Sequence, residues 1–109
     1  MDNDAIREIF ESFGVVSIRR MFGGKGIYVD GVIVALEVEE GELKLKVDAA
    51  SAREFIEAGS TQWCYQSARS DRAVAMPYWS VPDDAFDDAD EMARFARLAV
   101  EAGRRAAGT

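Results

Sequence analysis

The chain has 109 residues, 49% hydrophobic and 30% charged, the composition of a folded domain rather than a disordered tail. At this length a core can form without staples, burying roughly two-thirds of the surface that the unfolded chain exposes. A net charge of −7 and a pI near 4.5 weigh against direct binding to DNA, and the absence of histidine removes the commonest general base and metal ligand.

The single cysteine, Cys64, cannot form an internal disulfide, which fits a reducing compartment. The longest apolar run, Val32 to Leu36, is too short to cross a bilayer, and Asp2, Asp4, Glu8 and Glu11 stand where a secretory signal would need positive and apolar residues. A cytoplasmic protein without a membrane partner is therefore expected.

In chain order, DAIREIFESF (residues 4–13) places Ile6, Ile9, Phe10 and Phe13 on one helical stripe, with Asp2, Asn3 or Asp4 as cap and Gly14 suited to a left-handed stop. VVSIRRM then alternates as a strand, Val16 and Ile18 on one face, Ser17 and Arg19 on the other. Asp30-Gly31 between IYV and VIVALEV is a strong hairpin signal, because both turn positions want positive φ. A second hairpin turns at EEGE around Gly41 into LKLKV, where Leu43, Leu45 and Val47 face inward and Lys44 and Lys46 face water. Asp48 opens a short helix in DAASAREFIEAG, with Ser51 and Glu54 at capping-box spacing and Gly59 at its end. WCYQ and RAVAMPYWSV form another antiparallel pair across SARSD, with Pro77 implying an edge position, a bulge, or a missing donor turned to solvent. The segment from Pro82 to Gly108 reads as one long helix, with Asp88 and Glu91 as an acid capping pair, Met92, Phe95, Ala96 and Ala99 inward, and Arg104 and Arg105 at the end that the macrodipole favours. The expected fold is a single α+β domain over residues 1–109, in the order αββββαββα, an antiparallel sheet packed with helices.

RRMFGGKGIYVDG (19–31) has the glycines and lysine of a phosphate cradle, but Lys25 is followed by Gly26 and a strand rather than by Ser or Thr on a helix. Gly23, Gly24 and Gly26, with Asp30 and Gly31, are read as structural, shaping a strand connection and a turn. Arg19, Arg20 and Lys25 remain a candidate anion or partner contact beside those glycines. The acidic run Asp83 to Glu91 lacks the glycine and ligand order of a calcium loop, so no metal is expected; with no histidine, Cys64 has no Cys-His partner within one subunit, and no cofactor or catalytic residue is nominated. Tyr78 and Trp79, adjacent on a strand, must point to opposite faces, so only one enters the core; the pair is a candidate partner or dimer surface, against edge packing under the last helix. The unbroken run Ile33 to Leu36 implies two covered faces: either the helices divide between them, or another chain covers part of the sheet.

Arg20-Met21-Phe22-Gly23-Gly24, Asp30-Gly31 and the Tyr78-to-Pro82 segment, together with LKLKVD, resemble the TfoX/Sxy N-terminal domain family along nearly the whole chain. The resemblance implies a fold similar to the secretion-chaperone-like class and a link to competence regulation, where full-length members act as transcription coactivators and carry a second domain beyond the point where this chain stops. It supplies no catalytic residues. The expected function is thus a non-enzymatic protein-interaction or regulatory module, dimeric, contacting a transcription factor or related protein. The alternative is an anion, small-ligand or nucleic-acid binder using Arg19, Arg20 and Lys25. An enzyme would need a concave pocket with convergent polar groups, which the sequence does not provide.

Overall fold

Asp2 is the residue that caps the first helix: its carboxylate accepts the Ala5 amide at 2.8 Å, leaving Asn3–Phe10 as α1. The computed structural model describes residues 1–21, 23–39, 41–66 and 72–108; Phe22, Glu40, the SARSD connection and Thr109 lie outside the described residues. Ile6 and Phe10 are fully buried, with Ile9 and Phe13 packed at the edge of the same core, as the stripe requires. The end of the helix differs from expectation. The chain tightens into a 3-10 turn at Glu11–Phe13, and Gly14 takes φ 151°, outside the left-handed helical well. Its missing Cβ leaves room for the Asp30 carboxylate, which accepts the Val15 amide at 2.9 Å.

Four antiparallel strands follow: β1 (Val16–Met21), β2 (Gly24–Val29), β3 (Val32–Glu39) and β4 (Glu42–Lys46). The β2–β3 turn has positive φ at both Asp30 (51°) and Gly31 (82°), as a two-residue hairpin demands. At the other end of β2, a Cβ on Gly24 would run into the Glu37 carbonyl oxygen, so the absence of a side chain is what allows β3 to approach. Ile27 pairs with Ala35 and Tyr28 with Ile33, which makes Val34 the extra residue of a bulge. Both Val34 and Ala35 therefore reach the core, each 0% exposed.

The helix α2 (Ala52–Glu57) has no capping box: Ser51 and Asp48 bond to one another at 3.2 Å, and Glu54 turns to Arg94 at 2.8 Å. After it come β5 (Gln62–Gln66) and β6 (Ala73–Ser80), and the six strands order as β1-β2-β3-β4-β6-β5. Pro77 thus lies in an interior strand, at the register irregularity against β5, where its carbonyl still accepts the Val47 amide at 3.0 Å. Of the three readings of that proline, the bulge holds.

The terminal segment is not one helix. Asp83–Asp87 forms a 3-10 turn, Asp88 is extended, and α3 runs from Ala89 to Ala107. Asp88 breaks the run because it is the cap, its carboxylate accepting the Asp90 and Glu91 amides at 3.0 and 3.2 Å; Glu91 does not reciprocate but pairs with Arg94. All three helices feed one core cluster, in which Phe10 of α1, Phe55 of α2 and Phe95 of α3 join Ile27 and Leu45 of the sheet and Val47 just after β4. Phe55 and Phe95 stack edge to face at 5.0 Å, a geometry that adds about 0.5–1.5 kcal/mol to the burial of their area. The outcome is one compact α+β domain with the expected order of elements, its helices gathered on a single face of the sheet. No helix among the described residues is long and apolar enough to cross a membrane.

Candidate interaction surface

Strand register assigns the two faces row by row. Ile18, Ile27, Ala35, Leu45 and Trp79 pair in succession across β1, β2, β3, β4 and β6, and this row looks into the helices. The row beside it, Arg19, Gly26, Leu36, Lys44 and Ser80, looks the other way. Alternation adds Met21, Tyr28, Ile33, Lys46 and Tyr78 to that outer face. Met21, Tyr28, Ile33 and Leu36 are half-buried there and, unlike Ile18 and Trp79 of the inner row, do not pack against the core cluster that the helices form.

Local chemistry shapes this face. A Cβ on Gly26 would sit 2.9 Å from the Met21 sulfur and 3.1 Å from the Tyr28 ring, so the glycine lets these two side chains fold across the strand. The Arg19 guanidinium lies 5.0 Å from the Tyr28 ring centre and the Lys46 ammonium 4.9 Å from that of Tyr78, both within cation–π range. Tyr78 is 6% exposed, and burial, with Tyr28 as a lesser cause, pushes its phenol above the usual range. Burial also pulls the Lys46 ammonium below its ordinary value, against the opposing pull of the Asp48 charge.

The residues nominated from sequence separate. Arg19 stands on the outer face, whereas Arg20 and Lys25 pair across β1 and β2 on the helix face, and Lys25 donates to Asn3 at 2.8 Å beside the start of α1. The three cations do not converge on the glycines. Gly23 takes φ 78° in the β1–β2 connection, Gly24 and Gly26 lie within β2, and Asp30-Gly31 makes the turn. Of the aromatic pair, Trp79 packs against the core and Tyr78 belongs to the outer face, as adjacent strand positions must divide. Glu37, buried on the helix face, has its carboxylate 3.8 Å from the Met1 amine. Cys64 is exposed on β5, and among the described residues no group of three or more His, Cys, Asp or Glu could hold a metal ion.

A cleft of about 280 Å³ opens between α2, the Asp83–Asp87 turn and α3, lined by Glu54, Glu57, Asp84, Glu91 and Arg94. Its arginine is held by two of those carboxylates, Glu54 at 2.8 Å and Glu91 at 3.1 Å. Nothing in the local sequence singles out Tyr28, and alternation alone gives Lys44 and Lys46 only a solvent-facing position. Strand parity was the signal that could have found them, because the Asp30-Gly31 turn sets which residues of β2 and β3 share a side.

An antiparallel sheet with its helices on one face, closed by a glycine-dependent β1–β2–β3 meander, defines the class of this α+β domain. Residues 8–103 match the model of the TfoX N-terminal domain, and the chain belongs to that family. A search of curated proteins finds no match.

Proposed function

We propose that this domain is a non-enzymatic interaction module of regulatory type, and that it contacts its protein partner through the outer face of the sheet. The observation that carries this reading is the half-buried patch of Met21, Tyr28, Ile33 and Leu36, which lies outside the core cluster that the helices form. Membership of the TfoX N-terminal family supports a domain of that type; a partner connected with transcription, in the context of competence regulation, is what the resemblance to full-length members adds to the proposal. Apolar side chains left at a sheet surface lose water contact when a partner docks, at about 25 cal/mol per Å² of area removed. The anion-binding alternative through Arg19, Arg20 and Lys25 has less support, since those side chains lie on different faces.

The test is affinity capture from the native cell with the wild-type domain and two variants. Leu36→Glu is expected to keep its circular dichroism spectrum and to lose the specifically recovered protein. Phe86→Ser, at a residue 53% exposed in the Asp83–Asp87 turn, is expected to keep it. Unchanged recovery with folded Leu36→Glu would move the contact away from the sheet.

A further inference from the structure

The outer face carries charge as well as apolar area. Arg19, Lys44 and Lys46 stand on it, with Glu42 as a carboxylate at one end of β4. The chain has 20 acidic residues against 13 basic ones, so carboxylate partners are plentiful. None of these three cations takes part in an ion pair among the described residues; Arg7, Arg20, Lys25 and Arg97 likewise show none, whereas Arg53, Arg94, Arg104 and Arg105 do. Three cations thus share the outer face of an acidic domain with Glu42, and the Asp48 charge acts on one of them, Lys46. Two of the cations lie over aromatic rings, Arg19 over Tyr28 and Lys46 over Tyr78. Two of the three flank Leu36 in its row, Arg19 through Gly26 on one side and Lys44 on the other.

From this arrangement we infer that the outer face docks an acidic, aliphatic segment of another protein, whose carboxylates reach Arg19, Lys44 and Lys46 while its apolar side chains cover Met21, Ile33 and Leu36. The inference rests on the reading of this face as an interaction surface and specifies the chemistry of what binds. Partly desolvated cations gain from a carboxylate that water no longer screens, and charge complementarity of this kind steers encounter and excludes wrong partners.

Two other occupants fit less well. A second copy placed face to face by a two-fold axis would bring the same cationic patch to both sides of the contact. A head-to-tail copy presenting its acidic Asp83–Asp87 turn would form a heterologous contact, which closes only if the rotation happens to make a ring. Single-stranded nucleic acid needs open aromatic faces for its bases, but Tyr28 and Tyr78 are already overlaid by Arg19 and Lys46, and Tyr78 is 6% exposed. The net charge of −7 also repels a polyanion.

Nitrogen-15-labelled protein titrated with defined probes decides the matter by amide shifts. The probes are a synthetic peptide of alternating Leu and Glu character, the matching Leu and Lys peptide, a short thymidylate oligonucleotide, and dilution of the protein alone. The acidic peptide is expected to shift amides along β1 to β4 around Leu36. Reversing charge in Arg19→Glu/Lys44→Glu/Lys46→Glu is expected to weaken it by about 10- to 100-fold at about 0.15 M salt and to create affinity for the basic peptide. Lys44→Glu alone, with a smaller loss in the same direction, serves if the triple variant does not fold. Equal response to both peptides, shifts with the oligonucleotide alone, or shifts on dilution alone would each overturn the acidic partner while leaving the face as an interaction surface. No shift on this face with any probe would overturn both.

Discussion

Ala35 and Leu36 are neighbours on β3, yet one is fully buried under the helices and the other lies half-buried outside the core cluster that the helices form. The two faces of the sheet solve different problems. On the helix face, aromatic side chains from α1, α2 and α3 fill a continuous cluster; Lys25 there donates to Asn3, while the buried Glu37 Oε2 lies 3.8 Å from the Met1 amine without a hydrogen-bond partner among the described residues. The outer face keeps apolar and cationic side chains together, with no ion pair for Arg19, Lys44 or Lys46 among the described residues. An unbroken apolar run in a strand therefore has two sources in one molecule: a bulge that sends Val34 and Ala35 inward together, and a surface that the domain's own helices leave uncovered.

The sharpest way to break the comparison is to disturb the backbone that both faces share. Gly24→Ala would drive a Cβ into the Glu37 carbonyl, a backbone atom that cannot swing aside, and is expected to cost about 1–3 kcal/mol in urea unfolding. Alanine at Gly26, by contrast, meets only side-chain atoms, the end of Met21 and the edge of the Tyr28 ring, so its cost should be smaller and confined to the outer face. Equal losses at the two glycines would contradict the distinction between backbone and side-chain contact.

A smaller effect concerns the covered side alone. Asp48 precedes α2 and accepts from Arg105 of α3 at 2.7 and 3.0 Å, and this hydrogen bonding, ahead of its bonds to Ser51, holds its carboxyl below the ordinary carboxylate range. A depressed folded-state value means that stability from the ionised form is fully present above the unfolded value, about 3.9, and is lost as pH falls through the folded one. Asp48→Asn should therefore lower the melting temperature modestly at neutral pH, and the gap to wild type should close below about pH 4. A gap that persists unchanged in acid would assign the role of Asp48 to its uncharged hydrogen bonds.

Much of this architecture was readable in the sequence because the signals are local. Apolar spacing marked α1 and the buried side of β4, the Asp30-Gly31 pair marked the hairpin, and the lack of Ser or Thr on a helix after Lys25 separated RRMFGGKGIYVDG from a phosphate loop. Features set by distant contacts were not readable. The bulge at Val34 appears only once β2 and β3 are in register, and the break at Asp88 follows from a cap competing with a helical pattern that continues through it. Ser51 and Glu54 had capping-box spacing, but Asp48 and Arg94, the latter forty residues from Glu54, took those side chains instead. The outer surface was half legible. Lys44 and Lys46 were placed facing water, and Tyr78 was set opposite Trp79, but the gathering of every helix onto one side is a property of the packed chain.

That one-sidedness is tested most directly by the unfolding midpoints of Ala35→Glu and Leu36→Glu, measured side by side in urea. A carboxylate at the fully buried Ala35, with no partner to neutralise it, is expected to cost several kcal/mol and leave little folded protein, whereas Leu36→Glu should cost about 1 kcal/mol and keep the native spectrum. Comparable collapse of both variants would contradict the account, since it would mean that the face bearing Leu36 is as much a part of the core as the face bearing Ala35.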